Sequence, residues 1–332
     1  MTRVVQIQNG ADRRVAVVEE PSLRLLAGVR SVYDLARRAI EREATLPEMI
    51  REMASDEALD YERVYQGVSA WLLLPPADHP EPARCLVSGT GLTHLGSAKN
   101  RNAMHEASEA EMTDSMKMFR WGVEGGKPAP GKPGVAPEWF FKGTGGIVHG
   151  HGEVLDVPWY AEGGGEEAEI AGVYLIDGQG QPRRIGMAAA NEFADHRFER
   201  RNYLNLAGSK IRNCALGPEL VVDPDFQSVP GEVAIEREGR KVWSKEIATG
   251  ESEMCHSLGN IEHHHFKFES HRRPWDMHVH YYGAHSLSFG DGVELAHGDI
   301  MCIRFDGFGR TLRNPLRVSH NEGVPITVIP LA

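Results

Sequence analysis

Only four cysteines occur in 332 residues, Cys85, Cys214, Cys255 and Cys302, and none shares a Cys-x-x-Cys spacing with another. That scarcity fits neither a disulfide framework nor a structural zinc site; buried free thiols are expected instead. Clustered basic residues are also missing. With 36 Lys and Arg against 47 Asp and Glu, the formal net charge is −11, which argues against nucleic acid and anionic membranes as partners, since both require a positive footprint. No apolar run is long enough to span a bilayer, and the stretch Met1-Thr2-Arg3-Val4-Val5-Gln6-Ile7 has no signal-peptide core, so no membrane partner and a cytoplasmic location are expected. Internal repeats at solenoid or propeller periods are absent as well.

What is present suits a catalytic chain with one large domain and a small one. Val4–Ile7 and Val15–Val18 flank a polar turn and read as a strand pair. Ser31 followed by Asp34 marks a helix start, with Val32, Leu35, Ala36, Ala39 and Ile40 at helical spacing, and Pro47 opens a second, short helix. The apolar run Trp71-Leu72-Leu73-Leu74 ends at Pro75-Pro76, which places a boundary between a leading segment 1–76 and a main body 77–332. Residues 98–121 read as a helix, and the Gly- and Pro-rich segment 125–134 reads as an ordinary connecting loop. Short strands with Gly, Pro and Asp turns dominate from Phe140 onward. The fold class expected is α+β, with a twisted mixed β-sheet as the main body.

The chemistry begins at Glu167-Ala168-Glu169, which opens the apolar run Ile170-Ala171-Gly172-Val173-Tyr174-Leu175-Ile176. Residues i and i+2 of a strand point to one face, so the two carboxylates project together from what reads as buried sheet. Like charges on one buried face repel, and a hard divalent cation relieves that by taking carboxylate oxygens into its shell. A solvated pair at a strand's start is the competing reading. Asn191-Glu192 supplies a third acid, for which a salt bridge to Arg197 or Arg200 is the competing role.

Around this trio stand Trp139-Phe140-Phe141-Lys142-Gly143-Thr144, then Ser209-Lys210-Ile211-Arg212-Asn213-Cys214-Ala215-Leu216-Gly217-Pro218, and finally Gly298-Asp299 running into Gly307-Phe308-Gly309-Arg310-Thr311-Leu312-Arg313-Asn314. In this order the blocks resemble the fumarylacetoacetate hydrolase superfamily, with its F-x-K, E-x-E, N-D, K-…-C-P-L-G-P and G-x-G-x-L-x-N motifs. The Gly290-Asp291-Gly292-Val293 turn and the Ser-Lys-Ile-Arg-Asn-Cys block resemble its bacterial 2-keto-3-deoxypentonate (L-2-keto-3-deoxyarabonate) dehydratase branch. The resemblance implies a β-roll-like main domain behind a small N-terminal α/β domain, and a homodimer. It implies Glu167, Glu169 and Glu192 as ligands of Mg²⁺, with Mn²⁺ or Ca²⁺ as surrogates. Glu192 stands where the family usually has aspartate.

By the same resemblance Lys210 is the catalytic lysine, although its spacing to Cys214 is two residues shorter than the family pattern. Lys142 is the F-x-K lysine, expected to bind substrate carboxylate or to bridge the metal-site acids. The family's base motif N-Y-x-x-H-A-x-E is broken by Ser97, and His105, Glu106 and Glu109 are substitutes, His105 and Glu109 sharing a helix face at i and i+4. Thr144, Ser97, His280 and Ser286 are candidate substrate contacts. The remaining histidines, including His149, His151 and His263–His265, are read as polar lining or core.

A 2-keto acid offers such a cation one carboxylate oxygen and its keto oxygen, which makes the C3 proton easier to remove. In a 2-keto-3-deoxy sugar acid, loss of the C4 hydroxyl as water comes next, and tautomerisation then gives a semialdehyde. The expected activity is therefore dehydration of a 2-keto-3-deoxypentonate to 2-oxoglutarate semialdehyde in pentose catabolism. A C–C hydrolase of acylpyruvates or 2,4-diketo sugar acids is the alternative, and a non-catalytic sugar-acid binder the third reading.

Overall fold

The computed structural model describes residues 1–96, 112–319 and 323–331. Strands Thr2–Asn9 and Asp12–Glu19 form the expected antiparallel pair, and Ser22–Leu26 and Ala54–Asp60 extend it. Helix Val32–Glu41 starts where Ser31 accepts a hydrogen bond from the Asp34 backbone N–H, and helix Leu46–Met53 starts on a Thr45/Glu48 capping box. Both caps satisfy backbone donors that the first turn leaves free. Strand alternation divides the segment between two cores. Val4, Val15 and Leu26 join a core shared with Val87, Val173 and Val279 of the main body, whereas Val5, Ile7, Ala16 and Leu23 pack on Tyr61 and Val64.

Residues 1–76 are thus continuous with the main body. Thr2–Val4 pair antiparallel with Leu220–Val222, so strands from both sides of Pro76 belong to one thirteen-stranded mixed sheet. At its centre runs Ala168–Ile176, buried at every position and hydrogen-bonded to Pro182–Asn191 on one side and Met277–Tyr281 on the other. A strand covered on both faces reads as an unbroken apolar run, as this one does. Met277–Tyr281 lies parallel to Cys85–Gly91, which pairs with Glu138–Thr144 at the edge. A five-stranded sheet, built from Val229–Arg237, Arg240–Thr249, Ile300–Phe305, Leu312–Val318 and Leu155–Val157, packs Val233, Ile235, Ile303 and Leu312 against Ile170, Met187 and Ala189.

The helix expected over 98–121 has its first part outside the described residues. Its remainder starts later, at Asp114 behind the Thr113 cap, and continues to Gly125, past the expected end. The segment after it is irregular, as expected, and is tied down by Val135 N–H to Gly125 O and Gly134 N–H to Asn260 Oδ1. All four cysteines are free and buried. Among the described residues no helix is long and apolar enough to cross a membrane.

Candidate metal centre and active site

The three acids meet because of strand register. Glu167 and Glu169 are i and i+2 at the head of Ala168–Ile176, and the Glu192 backbone N–H bonds to Glu167 O, which makes Glu192 the cross-strand neighbour of Glu167. Side chains directly opposite on paired strands share a face with Cβ atoms about 5 Å apart. A β-bulge decides this register. Val173 pairs with Gly186 but Tyr174 with Arg184, so Ile185 is an extra residue that shifts the ladder by one. Without it Asn191 would face Glu167, and Glu192 would point to the other side of the sheet. Instead Asn191 Oδ1 accepts from the Glu167 and Phe193 N–H groups, both at 3.2 Å, and clamps the strand ends.

Each of the three carboxylates offers an oxygen that lies within 4.8 Å of the others, and all three residues are buried. Two lysines answer them. Lys210 Nζ lies 2.5 Å from both Glu167 Oε1 and Glu192 Oε2, and it sits 4.7 Å above the Phe140 ring. Lys142 Nζ binds the Glu192 carboxylate and also the backbone oxygens of Glu192, Phe193 and Lys210 at 2.6, 3.0 and 2.9 Å. An ammonium has three hydrogens. Lys142 therefore has none left for a ligand, and it positions the acids and the Lys210 backbone rather than contacting substrate. His196 completes the set. It opens helix His196–Arg201, directly after the strand that ends at Asn191, and its Nε2 donates to Glu167 Oε1 at 2.9 Å. Gly165 lets the ring in, because a Cβ there would stand 2.4 Å from His196 Nδ1.

Charge counting shows what the cluster lacks. Three carboxylates meet two ammonium groups, and Glu169 is the one that neither lysine reaches. Its Oε2 accepts from the Gly283 N–H at 2.6 Å, but its Oε1 is buried without any hydrogen-bond partner. Burial, then the charges of Glu167 and Glu192, drive the Glu169 carboxyl well above the ordinary carboxylate range. Glu192 is pushed up to about 7, by burial first and the Glu167 charge second, against the pull of Lys142 and Lys210. Burial also opposes charge on Glu167, yet Lys210 and His196 hold it well below the usual value. A buried, oxygen-only donor set with an acid that no cation reaches is what a hard divalent cation fits. Glu167, Glu169 and Glu192 would hold it.

The other expected site residues are placed differently. His105, Glu106, Glu109 and Ser97 lie outside the described residues. His280 pairs with Gly172 in the ladder, one position off the parity of Glu169, so it points to the opposite face. There Ser88 Oγ lies 2.8 Å from its Nδ1, and its ring packs on His265 at 4.4 Å between centroids. Thr144 follows the bulge at Lys142 in the edge strand, and Ser286 is buried in the loop after Met277–Tyr281. Among the described residues no hydrogen bond joins Thr144, Ser286 or His280 to the carboxylates. Glu192 bridges the two lysines, while Arg197 pairs with Glu294.

His196 was not anticipated from the sequence, and neither was a further residue on the carboxylate face. In the edge strand Glu138–Thr144, Trp139 faces the histidines, its Nε1–H donating to His265 Nδ1 at 3.2 Å, while Phe140 faces Lys210. Alternation sends Glu138 to the Phe140 side, one side-chain spacing of about 7 Å along the strand. Its carboxyl lies over Gly91, where a Cβ would stand 2.5 Å from Oε2, and Tyr203 donates to its Oε1 at 3.2 Å. The signal was in the sequence as Glu138-x-Phe140-x-Lys142, read there only from Phe140 onward.

No protein-family model and no curated protein matches the chain. Solved structures do. A 2-keto-3-deoxy-D-arabinonate dehydratase in its apo form superposes with a TM-score of 0.70 at 20% identity, over 96% of this chain and 100% of that one. The chain has the fold of that dehydratase. The same holds for a 2-keto-3-deoxy-D-arabinonate dehydratase complexed with magnesium and 2,5-dioxopentanoate, at 0.70 and 19% over 96% and 100%. A 5-carboxymethyl-2-hydroxymuconate delta-isomerase from Mycobacterium smegmatis matches at 0.57 and 15%, again over 96% and 100%. At these identities the likeness is one of fold, and that fold agrees with the resemblance read from the sequence motifs.

Proposed function

We propose that the protein is a divalent-metal-dependent hydro-lyase that converts a 2-keto-3-deoxypentonate to 2-oxoglutarate semialdehyde, the 2,5-dioxopentanoate of the magnesium complex above, in pentose sugar-acid catabolism. The observation that carries this reading is the buried Glu167, Glu169 and Glu192 group, in which Glu169 has no cationic partner and one partnerless oxygen. When bound there, Mg²⁺ supplies Lewis acidity toward the keto and carboxylate oxygens of a 2-keto acid.

The chain's own groups do the rest. Lys210, held between two acids, keeps its charge, because Glu167 and Glu192 outweigh the burial that opposes it and raise it well above its ordinary value. It therefore places a fixed positive charge beside the reacting keto acid. His196 and the Gly283 N–H orient Glu167 and Glu169. Glu138 stands on the same face as Phe140 and Lys210 and serves as the group that takes the C3 proton or returns a proton to the departing C4 hydroxyl. Elimination needs these proton transfers and no hydrolytic water, which favours it over C–C hydrolysis.

The deciding experiment is a proton NMR time course with both C4 epimers of the deoxypentonate, with Mg²⁺ and after chelation, beside a 2,4-diketo acid. Semialdehyde signals that stop on chelation support the assignment. Pyruvate release from the diketo acid with no semialdehyde, or turnover undiminished by chelator, contradicts it.

A further inference from the structure

We propose that the C-terminal segment 323–331 is an assembly arm that docks on a second copy of this chain. Its residues Val324, Ile326, Val328, Ile329 and Leu331 are each 80% exposed or more, and the segment takes up neither helix nor strand. Among the described residues no hydrogen bond ties it to the body. Scattered exposed apolar side chains are ordinary, but five in nine consecutive residues are not. Leaving them in water forgoes the stabilisation that burying their apolar surface would return.

The body offers a matching surface. Trp159 and Tyr160 are exposed and meet edge to face, Arg212 lies 5.2 Å from the Tyr160 ring, and its neighbour Ile211 is exposed too. Leu204, 88% exposed, stands just before the short helix Leu206–Lys210 whose far end leads into Ile211. The arm starts beside this patch, since a Cβ on Gly323 would overlap the Trp159 indole.

Interface size selects the partner. Five such side chains bury roughly 300–600 Å² on the arm at about 25 cal/mol per Å². A single arm in a foreign groove gives an interface near or below the roughly 1,000 Å² that a specific contact needs. Two arms exchanged about a twofold axis reach roughly 1,200–2,400 Å², the size of a stable dimer. Pro325 and Pro330 bracket Ile326-Thr327-Val328-Ile329, the longest run of the arm with a backbone N–H at every residue, which it can pair with the other copy.

The test is the solution mass by light scattering of the full chain, of a chain ending at Glu322, and of Val328→Asp and Leu204→Asp, with far-UV circular dichroism as the check on folding. An even multiple of the chain mass that halves on deletion and on both substitutions is the expected result. A single-chain mass for the full protein, or a mass unmoved by removing the arm, overturns the proposal. A mass that halves on deletion but not in Leu204→Asp overturns the docking surface named here.

Discussion

Two faces of one sheet handle buried polarity in opposite ways. On one face, Glu167, Glu192, Lys142 and Lys210 share charge at contact distance, with Glu169 beside them but outside the ion pairs. On the other, His265, His278 and His280 sit equally buried among Trp139, Phe266 and Tyr282. Burial, then neighbouring histidines, bring His278 and His280 down to about 3, so both are neutral at any ordinary pH. The histidine face solves its desolvation by giving up charge, and nothing further is required of it. The carboxylate face keeps charge on Glu167 and Lys210 and leaves Glu169 with no cation beside it. Both faces contain orphaned atoms, Glu169 Oε1 on one and His278 Nε2 and His280 Nε2 on the other, but only the first belongs to a group whose charge calls for a cation.

The largest test of this contrast is Glu138→Gln. If the reaction runs on the carboxylate face, loss of a proton-transfer group lowers kcat by about 10²–10⁴-fold with the fold intact, measured as semialdehyde formed per second at saturating substrate. A variant within tenfold of wild type would remove Glu138 from the chemistry. Next comes Lys142→Met, which fits the same space without the charge. Breaking a buried pair from one side costs about 3–5 kcal/mol, read from the denaturant midpoint. A loss under about 1 kcal/mol would show that Lys142 does not hold Glu192.

The pH dependence of stability separates the faces by sign. His278 and His280 refuse protons in the folded chain down to about 3, whereas in the unfolded chain they accept them near 6.5. Their contribution is therefore present above pH 6.5 and lost as pH falls, at up to about 1.4 kcal/mol per pH unit per histidine. Glu192, pushed up to about 7 in the metal-free fold, works the other way: its contribution is full below the unfolded value of about 4.3 and lost as pH rises through 7. Denaturant midpoints at pH 5 and 6 for a His278→Gln/His280→Gln protein should show a flatter acid limb than wild type. An unchanged slope would mean the histidines are not the acid-labile groups. The smallest effect is expected from His280→Gln on turnover, within about twofold, since that side chain faces away from the acids; a hundredfold loss would place it in the site after all.

Strand periodicity sets how much of this was legible in the sequence. Glu-x-Glu before an apolar run fixed two acids to one face without knowledge of any partner strand. The third acid came from motif order alone, because its placement opposite Glu167 depends on the bulge at Ile185, and an extra residue in a ladder leaves no mark on periodicity. His280 was misplaced for the same kind of reason: its face is set by pairing with Gly172, a contact far apart in the chain. Lys142 read as a lysine that binds substrate carboxylate or bridges the metal-site acids, and only in the folded chain are its donors seen to be used up. The N-terminal strands and helices were readable from local caps and turns, but their union with Leu220–Val222 in one sheet was not.

The central claim is that Glu167, Glu169 and Glu192 bind one hard divalent cation because the folded chain leaves Glu169 without a cationic partner. Calorimetric titration of Mg²⁺ into chelator-treated protein, wild type beside Glu169→Gln, tests it most directly. Glu169 is already driven toward its neutral form in the metal-free fold, so the amide should keep the apo stability. Wild type should bind one ion per chain and gain about 2.7 kcal/mol of stability at a hundredfold excess over Kd, and the variant should bind none. Equal binding by Glu169→Gln, or no binding by wild type, would contradict the account.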